Sequence, residues 1–90
     1  MAKKRDLKRS INYICSDLFA EAVAASLYSG ENSKEATDNL LSAIIILRND
    51  FVSRVSHPEP GMAAHEYYKA LAKDFNEQTS DIIDKIGNLG

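Results

Sequence analysis

The stretch Leu40-Leu41-Ser42-Ala43-Ile44-Ile45-Ile46-Leu47 decides how this chain folds, because apolar residues run almost unbroken only there. The pattern around it predicts the middle of a helix that is apolar on more than one side. One stripe at helical steps suffices for an internal core, and Ile44 flanks it; its members are Ala36, Leu40, Ala43, Leu47 and Phe51.

Four further apolar residues of this helix lie outside the stripe: Leu41, Ile45, Ile46 and Val52. Leaving such side chains in water forgoes roughly 1.5–3 kcal/mol of burial apiece. The helix is therefore sandwiched or paired with a second copy. These four residues are the predicted partner interface, together with the small-residue side of the preceding helix.

The first helix is predicted over residues 6–29, since apolar residues recur there at steps of three and four. Cys15 and Phe19 widen the same face, and Gly30 suits the C-terminal cap. Its second half is rich in alanine, which lets another helix approach closely. The stripe consists of Leu7, Ile11, Ile14, Leu18, Ala22 and Ala25.

The second helix is predicted over residues 33–56, where Asn32 and Glu35 resemble a capping box and residues 48–56 turn polar again. Pro58 stops it, and Pro60 is a candidate first residue for a third helix over residues 61–86. Gln78 interrupts the third stripe, either as a buried hydrogen-bonding residue or at an exposed edge. That stripe consists of Ala64, Tyr68, Leu71, Phe75, Gln78, Ile82 and Ile86.

Short links between three helices predict an all-α, up-down-up three-helix bundle, with residues 1–90 forming one domain. The chain is 44% hydrophobic and 27% charged, as in ordinary globular proteins. Ninety residues support only a modest core, so pairing of two copies into a larger bundle would add stability. The single cysteine, the absence of an apolar leader pattern and the short apolar runs favour a cytoplasmic protein without a membrane span.

The loop around His57-Pro58-Glu59-Pro60-Gly61 is the most distinctive local sequence. Together with His65 it forms a candidate ligand or partner site, although a stiff turn with a helix-terminal histidine is the favoured interpretation. Neither histidine has metal-ligand spacing, and Cys15 lies on an apolar face where a thiol is inert. The sequence therefore indicates no catalytic residue, cofactor or metal, and predicts a protein that is not an enzyme.

Basic residues cluster at the N-terminal end, whereas the remainder of the chain is acidic. They could contact the phosphates of nucleic acid or anionic lipid. No helix-turn-helix spacing or interleaved aromatic residue accompanies them, so nucleic-acid regulation is the alternative hypothesis. The candidate phosphate contacts are Lys3, Lys4, Arg5, Lys8 and Arg9.

Residues 10–15 (SINYIC) and 49–61 (NDFVSRVSHPEPG) resemble a group of short, uncharacterised bacterial helical proteins. The resemblance covers most of the chain and implies a small helical domain with no assigned activity and no catalytic residues to transfer. The predicted function is accordingly a non-catalytic interaction or scaffold module that acts through homodimerisation or another protein contact.

Overall fold

The computed structural model describes residues 4–29 and 34–88 and consists there of three helices. They are α1 (Lys4–Ser29), α2 (Lys34–Ser56) and α3 (Ala64–Gly87). Successive helices run antiparallel, which confirms the predicted all-α three-helix bundle. The bundle is a rod about 49 Å long and 16–18 Å wide. None of the described helices combines the length and apolarity that crossing a bilayer requires.

A stripe of α2 forms the centre of the core. Phe51 and Val55 are fully buried, and the ring of Phe51 meets that of Phe75 from α3 edge to face, with centroids 5.1 Å apart. Such a pair adds roughly 0.5–1.5 kcal/mol beyond the area it buries. The buried α2 residues are Thr37, Leu40, Ile44, Leu47, Phe51 and Val55.

The packing of α2 against α1 is closer and more extensive than its packing against α3. Small buried side chains on α1, Cys15 and Ala22, let the two backbones approach, whereas the rings of Phe75 and Tyr68 stand between α2 and α3. This asymmetry turns the buried stripe of α2 toward α1. Ala36 is consequently exposed, and its neighbour Thr37 is buried instead.

Three apolar members of the predicted stripes are exposed: Ile14, Ala36 and Ala64. At Ile14, which is 38% exposed, the neighbouring Cys15 takes the core position, so the periodicity located the apolar face but missed its orientation by one residue. The segment 48–56, predicted to turn polar again, also contains the fully buried Val55, which continues the α2 stripe one turn beyond Phe51.

The link between α2 and α3 is a tight turn. The Met62 N–H donates to the Glu59 carbonyl at 3.4 Å, and Gly61 adopts a φ of 85°. A proline followed by a glycine with positive φ occupies the central positions of a type II turn. Pro60 therefore belongs to the turn and does not begin the helix, and α3 starts at Ala64, later than predicted.

The C-terminal end of α2 is capped by two tyrosines from α3. The Tyr67 hydroxyl lies 2.8 Å from the Arg54 carbonyl oxygen and 3.3 Å from that of His57. The Tyr68 hydroxyl donates to the Val55 carbonyl at 3.2 Å. The last carbonyls of a helix have no donor four residues further along the helix, and the tyrosine hydroxyls supply donors there. The Arg54 carbonyl also accepts from the His57 N–H at 3.3 Å.

Gln78 takes the second of its two predicted placements. It is exposed, and its Nε2 donates to Asp74 Oδ1 at 3.2 Å along the surface of α3. Thr79 fills the buried position beside it, with its hydroxyl donating to the Asn76 carbonyl at 3.0 Å. Thr79 thus fills the core position between Phe75 and Ile82, and its hydroxyl is hydrogen-bonded within α3.

Removal of either capping hydroxyl should destabilise the bundle while leaving its shape intact. We expect Tyr67→Phe and Tyr68→Phe each to lower the free energy of unfolding in urea by about 1 kcal/mol, the usual net value of one such hydrogen bond. Tyr13→Phe, at a ring that is 76% exposed on α1, serves as the control and should change little. Equal effects at all three positions would contradict the capping role.

Candidate functional site

A groove runs between α1 and α2. It encloses about 240 Å³ and is lined by Cys15, Ser16, Phe19, Ile44, Ile45 and Arg48. A separate groove lies between α2 and α3, on the other side of the buried stripe. Ala43, Ile46 and Asp50 line it from α2. The helix α3 therefore covers one side of the α1–α2 pair and leaves the groove on the other side open.

The apolar side chains along this open groove form what we call the α1–α2 face. Ile45 is 45% exposed and Val23 is 37% exposed, whereas the other members are half-buried and pack against the core. Residues four apart on a helix share a face, so the members form one ridge on each helix. The α1–α2 face consists of Phe19, Val23, Leu41, Ile45 and Val52.

The structure places Ile46 apart from the other three residues of the predicted interface. Ile46 is 67% exposed and lines the α2–α3 groove with Gln78 and Asp81. Adjacent residues of a helix point about 100° apart, which is why Ile45 and Ile46 face different grooves. Leu41, Ile45 and Val52 remain on one side of α2, which Val23 from the predicted small-residue side of α1 borders. Phe19, which the periodicity placed on the core face, also borders the groove.

Cys15 forms part of the groove floor and is only 2% exposed. Burial raises the pKa of its thiol, and the positive charge of Arg48 offsets part of that effect. A buried thiol held in its protonated form is a poor nucleophile. The groove is thus an apolar surface with a thiol beneath it, and the geometry offers no reactive group there.

The residues of the predicted loop site lie on the surface. His57, Glu59 and His65 are all exposed. Glu59 lines a shallow groove of about 340 Å³ with Arg54, Met62 and Tyr67, and the two histidines do not line it. Among the described residues, no three His, Cys, Asp or Glu side chains come close enough together to hold a metal ion.

Arg54 is engaged in an ion-pair network that ties α2 to α3. Its Nη1 donates to Asp74 Oδ2 at 2.7 Å, its Nη2 lies 3.2 Å from Asp50 Oδ2, and its guanidinium stands 4.5 Å from the centroid of the Phe51 ring. The hydrogen bond from Arg54, with a second from Gln78, lowers the pKa of Asp74. The guanidinium is occupied by two carboxylates, which makes this groove a poor receptor for an added anion.

The basic N-terminal residues occupy the first two turns of α1. Lys4, Arg5 and Arg9 are exposed and Lys8 is half-exposed, while Lys3 lies outside the described residues. Positions 4, 5, 8 and 9 share an arc of about 140° on a helix. Four cations therefore form one patch at the end of the rod that also carries the α2–α3 turn.

Comparison of the chain with protein-family models, with curated proteins and with solved structures finds no match. The resemblance of residues 10–15 and 49–61 to short bacterial helical proteins therefore stays a prediction.

The Arg54–Asp74 pair should give the bundle a measurable acid sensitivity. Because the folded-state pKa of Asp74 is lowered, its stabilisation is present at neutral pH and is lost as the pH falls through that folded-state value. Both side chains are about 40% exposed, so solvent screens the pair and Asp74→Asn should cost no more than about 1 kcal/mol at pH 7.

As the pH falls through the lowered folded-state pKa of Asp74, this carboxylate is protonated in the wild-type protein as well, and the difference from Asp74→Asn should shrink toward zero. Urea unfolding over a series of pH values from 7 downward measures this, with Glu77→Gln on the same helix as the matched control. A destabilisation by Asp74→Asn that is independent of pH would show that the ion pair is not its cause.

Proposed function

We propose that this protein is a small, non-catalytic helical interaction module that pairs with a second copy of itself through the α1–α2 face. The single observation that carries the proposal is the half-exposed Ile45 beside Phe19, over an open apolar groove. On the opposite side of α2, α3 already provides the cover. A second copy would supply the same kind of cover here.

The size of the chain supports a second copy as the occupant. A domain of this length has a small core, and a partner surface is a common way to add buried area. The α1–α2 face is also suited to pairing with itself, because one apolar ridge from each helix borders the groove. Two such ridges from each copy would form a four-helix layer around the twofold axis.

The chemistry of the face agrees with recognition rather than catalysis. Its lining is apolar except for Ser16 and Arg48, and the thiol of Cys15 lies beneath it with a raised pKa. A reducing, cytoplasmic setting suits a chain whose one cysteine is buried and free.

Ile45→Lys should abolish pairing at concentrations where the wild-type chain is dimeric. Burying an isoleucine is worth roughly 1.5–3 kcal/mol, and a twofold interface loses it twice, so we expect the dissociation constant to rise at least about a hundredfold. Sedimentation equilibrium over a micromolar concentration series measures the effect. Circular dichroism verifies that the variant keeps its helices.

Ile83→Lys is the matched control, since Ile83 is 53% exposed on α3 and the substitution adds the same charge. It should leave pairing unchanged. A wild-type chain that stays monomeric at high micromolar concentration, or equal loss of pairing in both variants, would overturn the proposal.

A second candidate function is binding of nucleic acid by the basic patch on α1. The observation that favours it is the grouping of Lys4, Arg5, Lys8 and Arg9 on one arc of the first two turns. Phosphate contacts of this kind give affinity without sequence preference and weaken steeply with salt.

If the patch binds nucleic acid, the protein should bind a mixed-sequence duplex or single-stranded RNA at low salt, as measured by fluorescence anisotropy. Replacing Lys4, Arg5, Lys8 and Arg9 by glutamine should remove that binding and flatten its salt dependence. Lys69→Gln with Lys73→Gln, on the exposed side of α3, controls for net charge. Absence of binding by the wild-type chain at low salt would eliminate this function.

A further inference from the structure

Charge is divided unequally between the two ends of the rod. The half built from residues 4–16 and 46–75 contains eight Lys or Arg and five Asp or Glu, a net charge of +3 with neutral histidines. The half built from residues 17–29, 34–45 and 76–88 contains two Lys or Arg and seven Asp or Glu, a net charge of −5. The bundle is therefore an electric dipole along its 49 Å axis.

We infer that the two copies pair antiparallel across the α1–α2 face, with Arg9 of each copy beside Asp38 of the other. The inference rests on the pairing proposed above and adds its orientation. In a parallel pair the two basic ends would lie side by side, as would the two acidic ends. In an antiparallel pair each basic end lies beside an acidic one, which lowers the electrostatic energy.

Helix geometry gives Arg9 and Asp38 matching heights on the face. The groove is centred near residue 17 of α1 and residue 46 of α2, as judged from the side chains that line it. With a rise of about 1.5 Å per residue, Arg9 lies about 12 Å from that centre toward the basic end. Asp38 lies about 12 Å from the groove centre toward the acidic end. A twofold axis through the groove centre, perpendicular to the helices, therefore brings Arg9 of one copy to the same height as Asp38 of the other.

Both residues also lie on the correct side of their helices. Arg9 lies about two turns before Ser16 and about four turns before Val23, in an i, i+7, i+14 series. Asp38 precedes Leu41 and Ile45 in an i, i+3, i+7 series. Both are exposed in the single bundle, which leaves them accessible to a second copy. The α1–α2 face thus has the cation of Arg9 at its basic end and the anion of Asp38 at its acidic end.

Charge reversal distinguishes the two orientations. In the antiparallel pair, Arg9→Glu places two carboxylates together and Asp38→Arg places two guanidiniums together, each at two symmetric positions. We expect each single variant to raise the dissociation constant about tenfold at low salt, and the double variant with both changes to restore the wild-type value. Sedimentation equilibrium at 20 mM and 500 mM NaCl measures this, and added salt should weaken the wild-type pair.

In a parallel pair position 9 faces position 9, so single reversals would leave like charges facing like charges. Unchanged single variants, or a wild-type pair strengthened by salt, would therefore overturn the antiparallel arrangement while leaving pairing through Ile45 intact. A wild-type chain that never pairs would remove the proposed function itself. These outcomes distinguish a wrong orientation from an absence of pairing.

A distance measurement tests the orientation without altering charge. A nitroxide on Leu27→Cys occupies a side chain that is 80% exposed, and the buried Cys15 should not be labelled in the folded protein. Residue 27 lies about 15 Å from the groove centre along the axis, so the antiparallel pair should separate the two labels by about 30 Å or more. Labels within about 20 Å would indicate the parallel arrangement.

Discussion

The remaining structure depends on the burial of one stripe of α2 between two helices, α1, which packs closely against it, and α3, which packs less closely. Phe51 and Val55 are sealed completely, and Leu40, Ile44 and Leu47 nearly so. Two neighbouring helices cannot enclose a third on every side, so part of α2 must remain in water. The uncovered arc includes Ile45, whose apolar side chain is 45% exposed.

The end of the bundle near the α2–α3 turn is held more firmly than the opposite end. The Phe51–Phe75 ring pair, the two tyrosine caps and the Arg54 network all lie there. Toward the opposite end the core narrows to Ala22, Leu40 and Ile82, and the buried Thr37 hydroxyl has no hydrogen-bond partner among the described residues. Local opening is expected to begin where buried contacts are fewest.

Periodicity in the sequence was sufficient to predict the fold class and the approximate ends of α1 and α2, because apolar residues at steps of three and four report a buried helical face directly. It could not fix the rotation of each helix, which depends on how closely its neighbours approach. The exposure of Ile14 beside the buried Cys15 and of Ala36 beside the buried Thr37 are examples. The tyrosine caps and the Arg54–Asp74 pair were missed for a related reason: they join residues 13 to 20 positions apart, beyond any local pattern.

The candidate face was predictable only in part from the sequence. Surplus apolar residues on α2 were visible, yet their division between two grooves required the position of α3. Ile45 and Ile46 therefore lie in grooves of different chemistry. Ile46 has carboxylates of Asp50 and Asp81 around its groove, where a second apolar surface would have to desolvate charge. Ile45 has Phe19 and a buried thiol beside it, and Arg48 is the one charged side chain in that lining, so a second copy would displace water from mostly apolar surface. The α1–α2 face also extends through Val23 and Leu41 toward the end where the core is thin, so a partner there would add burial where a single bundle has least.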